Sequence, residues 1–183
     1  MTRKDGQFLF NTLVISLLLM AIMQAVAPLL EPADVRAKWM AETDARIVPL
    51  AANDVPYMLH SRDKKTLLFV YASWCRYCRQ VMPQMMDLSE DGSLDKVRLL
   101  WISIDKDRTA LARYLASYHR PLRFTPYQLA GGKTETLTDA LMPLDSSYNG
   151  GIPYMALFDT EGRLVARLAG IVGRSDILTL VSQ

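Results

Sequence analysis

The chain has 183 residues, half of them hydrophobic, and its 21 basic residues against 19 acidic ones leave a net charge of +2. That is enough chain for one domain with a real core plus an appendage, and no basic run interleaved with aromatics marks nucleic acid as a partner. Two cysteines are too few for a disulfide framework, so they are read as reactive rather than stapling.

Arg3 and Lys4 precede a charge-free run from Phe8 to Leu30. At ~1.5 Å per residue this run crosses a bilayer core, and the two cations hold the short amino end in the cytoplasm. The alternative is a cleaved signal peptide, since Ala25-Val26-Ala27 has the small-x-small form of a cleavage site. The run is longer than the usual signal core and Pro28 would open the mature chain, so residues 1–30 are read as a tip and single-pass anchor in the inner (cytoplasmic) membrane. Either way, Glu31 onward lies on the periplasmic, extracytoplasmic side.

Residues 31–50 are charged and mildly amphipathic, a stalk leading into a domain over 51–183. Asn53-Asp54 before Val55-Pro56 resembles an N-cap followed by a short helix. Thr66 to Ala72 is apolar without alternation, as in a strand buried on both faces of a parallel sheet. There follows Ala72-Ser73-Trp74-Cys75-Arg76-Tyr77-Cys78-Arg79, which places both cysteines three positions apart.

If Cys75 opens a helix, its sulfur meets unpaired backbone N–H groups and the positive helix end. Both favour thiolate over thiol, and Arg76 and Arg79 add to the effect. Cys78, one turn on, lies on the same face within disulfide reach. A structural zinc site would need four ligands, and His60 and His119 are isolated. A purely structural disulfide over two intervening residues removes little entropy from the unfolded chain. A redox-active dithiol accounts for the spacing, the strand before it and the helix after it, and calls for no metal and no cofactor.

Val81, Met85 and Leu88 form one helical face with Met82 and Met86 beside it; helical spacing favours core packing of these methionines over soft copper coordination. Pro83 is expected to kink this helix and Gly92 to end it. Val97 to Ile104 reads as a second buried strand, parallel to the first. Asp105 to Asp107 supply caps for a helix with the stripe Leu111, Tyr114, Leu115 and Tyr118. Within Pro121 to Gly151, the least regular part, Phe124 to Leu129 is a short strand and Thr134 to Leu141 a helix. Gly131-Gly132-Lys133-Thr134 is a turn and not a phosphate loop, because Tyr127 stands where such a loop needs glycine. Gly151-Ile152-Pro153 then leads into an antiparallel hairpin, Tyr154 to Phe158 and Leu164 to Leu168, and a final helix from Ser175 to Val181.

From about Val55 to Gln183 the sequence resembles the thioredoxin superfamily, and within it the membrane-anchored TlpA-like or ResA-like branch. The features are Trp74-Cys75-x-x-Cys78 after a buried strand, Pro83, Gly151-Ile152-Pro153 opening a strand, and Gly170 before the last helix, in that order. The resemblance implies a thioredoxin-like α/β fold, a central mixed sheet flanked by helices, with Pro153 in cis facing the cysteines. It implies that Cys75 attacks and Cys78 resolves, beside a substrate groove bordered by Trp74, Arg76, Tyr77, Ile152 and Pro153. It implies a thiol–disulfide oxidoreductase acting on exported proteins, supplied by a membrane thiol electron donor. A disulfide isomerase or oxidase, which Tyr77 before the second cysteine resembles, and a copper-binding assembly factor using the same thiols are the alternatives. Phe69 and Val81 occupy positions where relatives carry a carboxylate, so no dedicated proton acceptor for Cys78 is identified.

Overall fold

In the computed structural model, which describes residues 15, 16, 18, 20, 33–130 and 134–183, the apolar run after Lys65 forms a strand, Thr66–Tyr71, buried at all six positions. A strand with no polar face must be covered on both sides, and this one lies inside a six-stranded mixed sheet flanked by helices. The strands are β1 (Val48–Leu50), β2 (Thr66–Tyr71), β3 (Arg98–Ser103), β4 (Pro126–Leu129), β5 (Tyr154–Phe158) and β6 (Leu164–Ala169), in spatial order β1-β4-β3-β2-β5-β6. The first four run parallel, while β5 pairs antiparallel with β2 and β6 antiparallel with β5. The helices are α1 (Ala33–Arg46), α2 (Val55–Leu59), α3 (Arg76–Glu90), α4 (Arg108–Ala116), α5 (Thr134–Leu141) and α6 (Arg174–Val181).

Two compact units divide the chain, Met1–Lys38 and Trp39–Gln183, and the sheet belongs wholly to the second. Of the expected membrane anchor, Ile15, Ser16, Leu18 and Met20 are described and helical; the remainder of Phe8 to Leu30 lies outside the described residues. Among the described residues no helix is long and apolar enough to cross a membrane.

α3 buries Cys78, Val81, Met82, Met85, Met86 and Leu88, so its methionines are core, as their spacing implies. Pro83 lies inside α3, and the helix runs on to Glu90: the proline removes one backbone donor, while the buried residues on either side keep the helix seated on the sheet. Gly92, at φ +80°, follows the last helical turn, in the left-handed conformation that glycine adopts freely. Asp107 caps the start of α4, its Oδ1 accepting from the Thr109 N–H at 2.8 Å. Asp54 stands at the N-cap of α2 without a side-chain bond, and a 3₁₀ turn over Ala52–Asp54 leads into the helix instead.

Val48–Leu50, which the sequence places at the end of the stalk, forms the edge strand β1 and pairs with β4. The turn before it is tied down from two sides. Arg46 donates to the Leu122 and Phe124 carbonyls at 2.6 and 3.0 Å, and Arg108 donates to the Asp44 carboxylate at 2.8 Å and the Ile47 carbonyl at 3.0 Å. β4 starts at Pro126, later than the sequence pattern implies: the Leu122 and Phe124 carbonyls before it accept from the Arg46 side chain, and the Phe124 ring packs on Trp101 with centroids 3.7 Å apart.

Candidate active site

β2 carries the chain to Ala72, where a turn closes by the Cys75 N–H donating to the Ala72 carbonyl at 3.2 Å. Cys75 then stands at the N-cap of α3 in extended conformation, and its Sγ accepts the Cys78 N–H at 3.1 Å. The sulfur thus occupies the place a serine or aspartate oxygen takes at an ordinary helix start. Cys75 and Cys78 are joined as a disulfide with Cα atoms 5.2 Å apart. Cys75 is 6% exposed and Cys78 0%.

Across from the pair, Cys75 Sγ lies 3.8 Å from the Ile152 carbonyl oxygen, and the Ile152–Pro153 bond is cis. Trp74 and Tyr77 are 64% and 50% exposed, Arg76 is exposed, Ile152 half-buried and Pro153 buried. The fold therefore brings the two halves of the sequence-predicted site together. One half comes from the β2–α3 turn, the other from the segment entering β5.

A buried carboxylate holds each half. Asp105, 2% exposed, accepts the Ser73 N–H at 2.8 Å, the Ser73 hydroxyl at 2.6 Å and the Ser103 hydroxyl at 2.7 Å. These bonds fasten the residue two before Cys75 to the end of β3. Arg79 closes the same turn, its Nε donating to the Ser73 carbonyl at 2.9 Å. On the other half, Asp145, 6% exposed, accepts the Ser147 N–H at 3.0 Å and the Tyr154 hydroxyl at 2.7 Å, with Arg167 Nε at 3.6 Å. Burial, the largest single influence on Asp145, pushes its pKa up; the bonds from Ser147 and Tyr154 and the Arg167 charge together outweigh it, and the carboxyl titrates below its ordinary range. Tyr154 is pushed up, first by burial and then by its bond to Asp145.

Of this scaffold the sequence singles out only Asp105, taken as a helix cap, and Arg79, taken as a cation favouring the Cys75 thiolate; neither is read there as holding the turn. The signal for Asp105 is a polar triplet, Ser103, Asp105 and Asp107, at the end of an apolar strand. Phe69 and Val81 are fully buried. Phe69 stacks on Tyr71 at 5.3 Å between centroids and meets Trp101 edge-on at 5.5 Å. Both positions are thus filled by buried apolar side chains. Among the described residues no group of three or more His, Cys, Asp and Glu could hold a metal ion.

A C-x-x-C disulfide at a helix entrance after the central strand of a mixed sheet is the arrangement of thioredoxin-like proteins. A thioredoxin-like family model matches residues 63–164, more than half of the chain, and the chain belongs to that family. Family and disulfide together make it a redox enzyme of the thiol–disulfide oxidoreductase kind. Among solved structures it is similar to StoA from Bacillus subtilis, at 15% identity over 66% of this chain and 84% of that one, with a TM-score of 0.51. It is also similar to a thioredoxin-family thiol:disulfide interchange protein from Chlorobium tepidum TLS, at 19% identity over 66% and 79% of the two chains, with a TM-score of 0.51. At these identities the likeness establishes the fold. No curated protein matches the sequence as a relative.

Proposed function

We propose that the chain is a membrane-tethered, extracytoplasmic thiol–disulfide oxidoreductase that reduces or exchanges disulfides in exported proteins. The observation that carries the reading is the Cys75–Cys78 disulfide at the head of α3, with the Cys78 N–H directed at Cys75 Sγ. In the reduced protein the same N–H and the helix terminus stabilise a Cys75 thiolate. That thiolate attacks one sulfur of a client disulfide, forming a mixed disulfide and releasing the other client sulfur as a thiolate. Cys78, having lost its proton, attacks Cys75 Sγ, closes the intramolecular disulfide and releases the second client thiolate. Two electrons pass to the client, and a dithiol partner in the membrane returns them; the reverse sequence donates the disulfide. Trp74, Arg76, Tyr77, Ile152 and Pro153 border the groove for the client strand.

Supporting the tether are the charge-free run from Phe8 to Leu30, preceded by Arg3 and Lys4, and the exposed, helical Ile15, Leu18 and Met20 within it. Residues 1–30 form the tip and anchor and 51–183 the catalytic domain, with 31–50 joining them and lending β1 to the sheet. Cys75 is the attacking residue because it is the more exposed of the pair. The Cys78→Ser variant therefore accumulates mixed disulfides with client proteins, resolved on non-reducing gels, and Cys75→Ser does not. Equal trapping by both overturns the assignment. A carboxyl-terminal alkaline phosphatase fusion is active in cells if the domain is exported and inactive if it is not.

A further inference from the structure

A cavity of about 430 Å³ opens between α3 and α4 beside the redox turn, lined by Ser73, Arg79, Arg113, Tyr114, Ser117 and Tyr118. No acidic residue lines it. Arg79 is held in place by its Nε bond to the Ser73 carbonyl and by its position 5.8 Å from the Tyr114 ring centre. That leaves the terminal N–H groups of its guanidinium uncommitted. Among the described residues neither Arg79 nor Arg113 has a carboxylate within ion-pair distance. Other arginines of the domain do: Arg120 pairs with Asp87 and Glu90, and Arg174 with Asp91.

The two phenols at the cavity lie 3.0 Å apart and share one hydrogen bond, so one hydroxyl proton remains to be given. Burial pushes both phenols up, and they stay neutral donors. Two unpaired guanidinium groups with neutral hydroxyls and no competing acid recognise a carboxylate, which accepts from a guanidinium in paired geometry.

The position relates the cavity to the chemistry. The Arg79 N–H donates to the Cys75 carbonyl at 3.2 Å, one helical turn from the disulfide, and Ser73 is two residues before Cys75. One helical turn is ~5.4 Å, which an extended client strand at ~3.3 Å per residue covers in roughly two residues. We propose that this cavity is a specificity subsite that binds an Asp or Glu side chain a few residues from the client cysteine. The proposal rests on the oxidoreductase reading and names the class of client that reading leaves open.

The test uses the full chain in detergent micelles and two disulfide-bonded reporter peptides, one with glutamates and one with glutamines flanking the cysteine. Wild type is expected to favour the acidic peptide by about tenfold in kcat/KM at low salt, the magnitude of a charge-assisted pair, and salt shrinks the preference. Arg113→Gln and Arg79→Gln each lower the acidic-to-neutral ratio to about threefold or less, and Arg113→Lys keeps most of it. A wild-type ratio near one, or a preference that survives both glutamine variants, overturns the subsite. If wild type turns over neither peptide, the oxidoreductase reading has failed. The subsite is then judged by fluorescence anisotropy of a labelled acidic peptide with serine in place of cysteine. Binding that Arg113→Gln abolishes upholds it, and absence of binding overturns it.

Discussion

Two buried carboxylates hold the two loops that meet at the disulfide, and they are satisfied in different ways. Asp105 collects its bonds from two serines and a backbone N–H, all at strand ends, and a tyrosine close by, Tyr71, is not bonded to it. Asp145 collects its own from a serine and a backbone N–H within its loop, and from the Tyr154 hydroxyl on β5, with a cation near. The Asp105 cluster therefore fastens the cysteine turn to the sheet through serines alone. The Asp145 cluster fastens the proline segment through a phenol. The difference shows that two similar anchors depend on different neighbours, and substitution separates them.

The largest effect is expected at Asp105. Asp105→Asn replaces one acceptor oxygen by a donor facing Ser73 or Ser103, leaving a buried donor unmatched at a loss of about 3 kcal/mol. Urea unfolding of the full chain in detergent measures this, and a loss below about 1 kcal/mol would mean that the cluster does not hold the turn. Next is Asp145→Asn, with a loss of about 2 kcal/mol at neutral pH, where the Arg167 pairing and the Tyr154 bond to a charged acceptor both weaken. The pKa of Asp145 is depressed on folding, so its contribution is present above the unfolded value of ~3.9 and is lost as pH falls through the lower folded value. The gap between wild type and Asp145→Asn should therefore close on acidification below about pH 4. A gap that stays constant down to the acid unfolding limit removes the charge from the account. Tyr154→Phe follows, at about 1.5 kcal/mol, because it deletes a bond to a charged acceptor without opening a large void.

The Cys75-x-x-Cys78 motif, the strand before it and the helix after it are legible because each rests on local pattern. An apolar run marks β2, and 3.6-residue spacing marks α3. The cis bond at Pro153 and the hairpin beyond it follow from the family resemblance and from turn residues. What is not legible is what depends on contacts distant in sequence. β1 is three residues with a central proline, too short for any periodicity, and exists because β4 offers it an edge. Asp105 looks like a helix cap because Asp107, which does cap, stands two residues on; only the approach of Ser73, 32 positions away in the chain, gives it its role. Asp145 and Tyr154 lie in and beyond the irregular segment, and nothing in the spacing pairs them.

The smallest effect has the opposite sign. Tyr71 on β2 is fully buried, and its hydroxyl has no hydrogen-bond partner among the described residues. Burial first, then the Asp105 charge and Tyr118, push its pKa well above the ordinary phenol value. A buried hydroxyl without a partner carries a desolvation penalty that phenylalanine does not, and the ring already packs against Phe69. Tyr71→Phe is therefore expected to stabilise the protein by about 1 kcal/mol at neutral pH, where Tyr154→Phe destabilises it. The sign extends to alkaline pH. A folded pKa above the unfolded value of ~10 gives stability that is full below that value and declines as pH rises past it. Phenylalanine at position 71 removes that decline, so the advantage of the variant over wild type widens above about pH 10. Unfolding midpoints of the two proteins at neutral pH and at about pH 10.5 measure both effects. If Tyr71→Phe is the less stable protein at neutral pH, its hydroxyl is bonded in solution, and the contrast between the two carboxylate clusters reduces to the presence of Arg167 beside one of them.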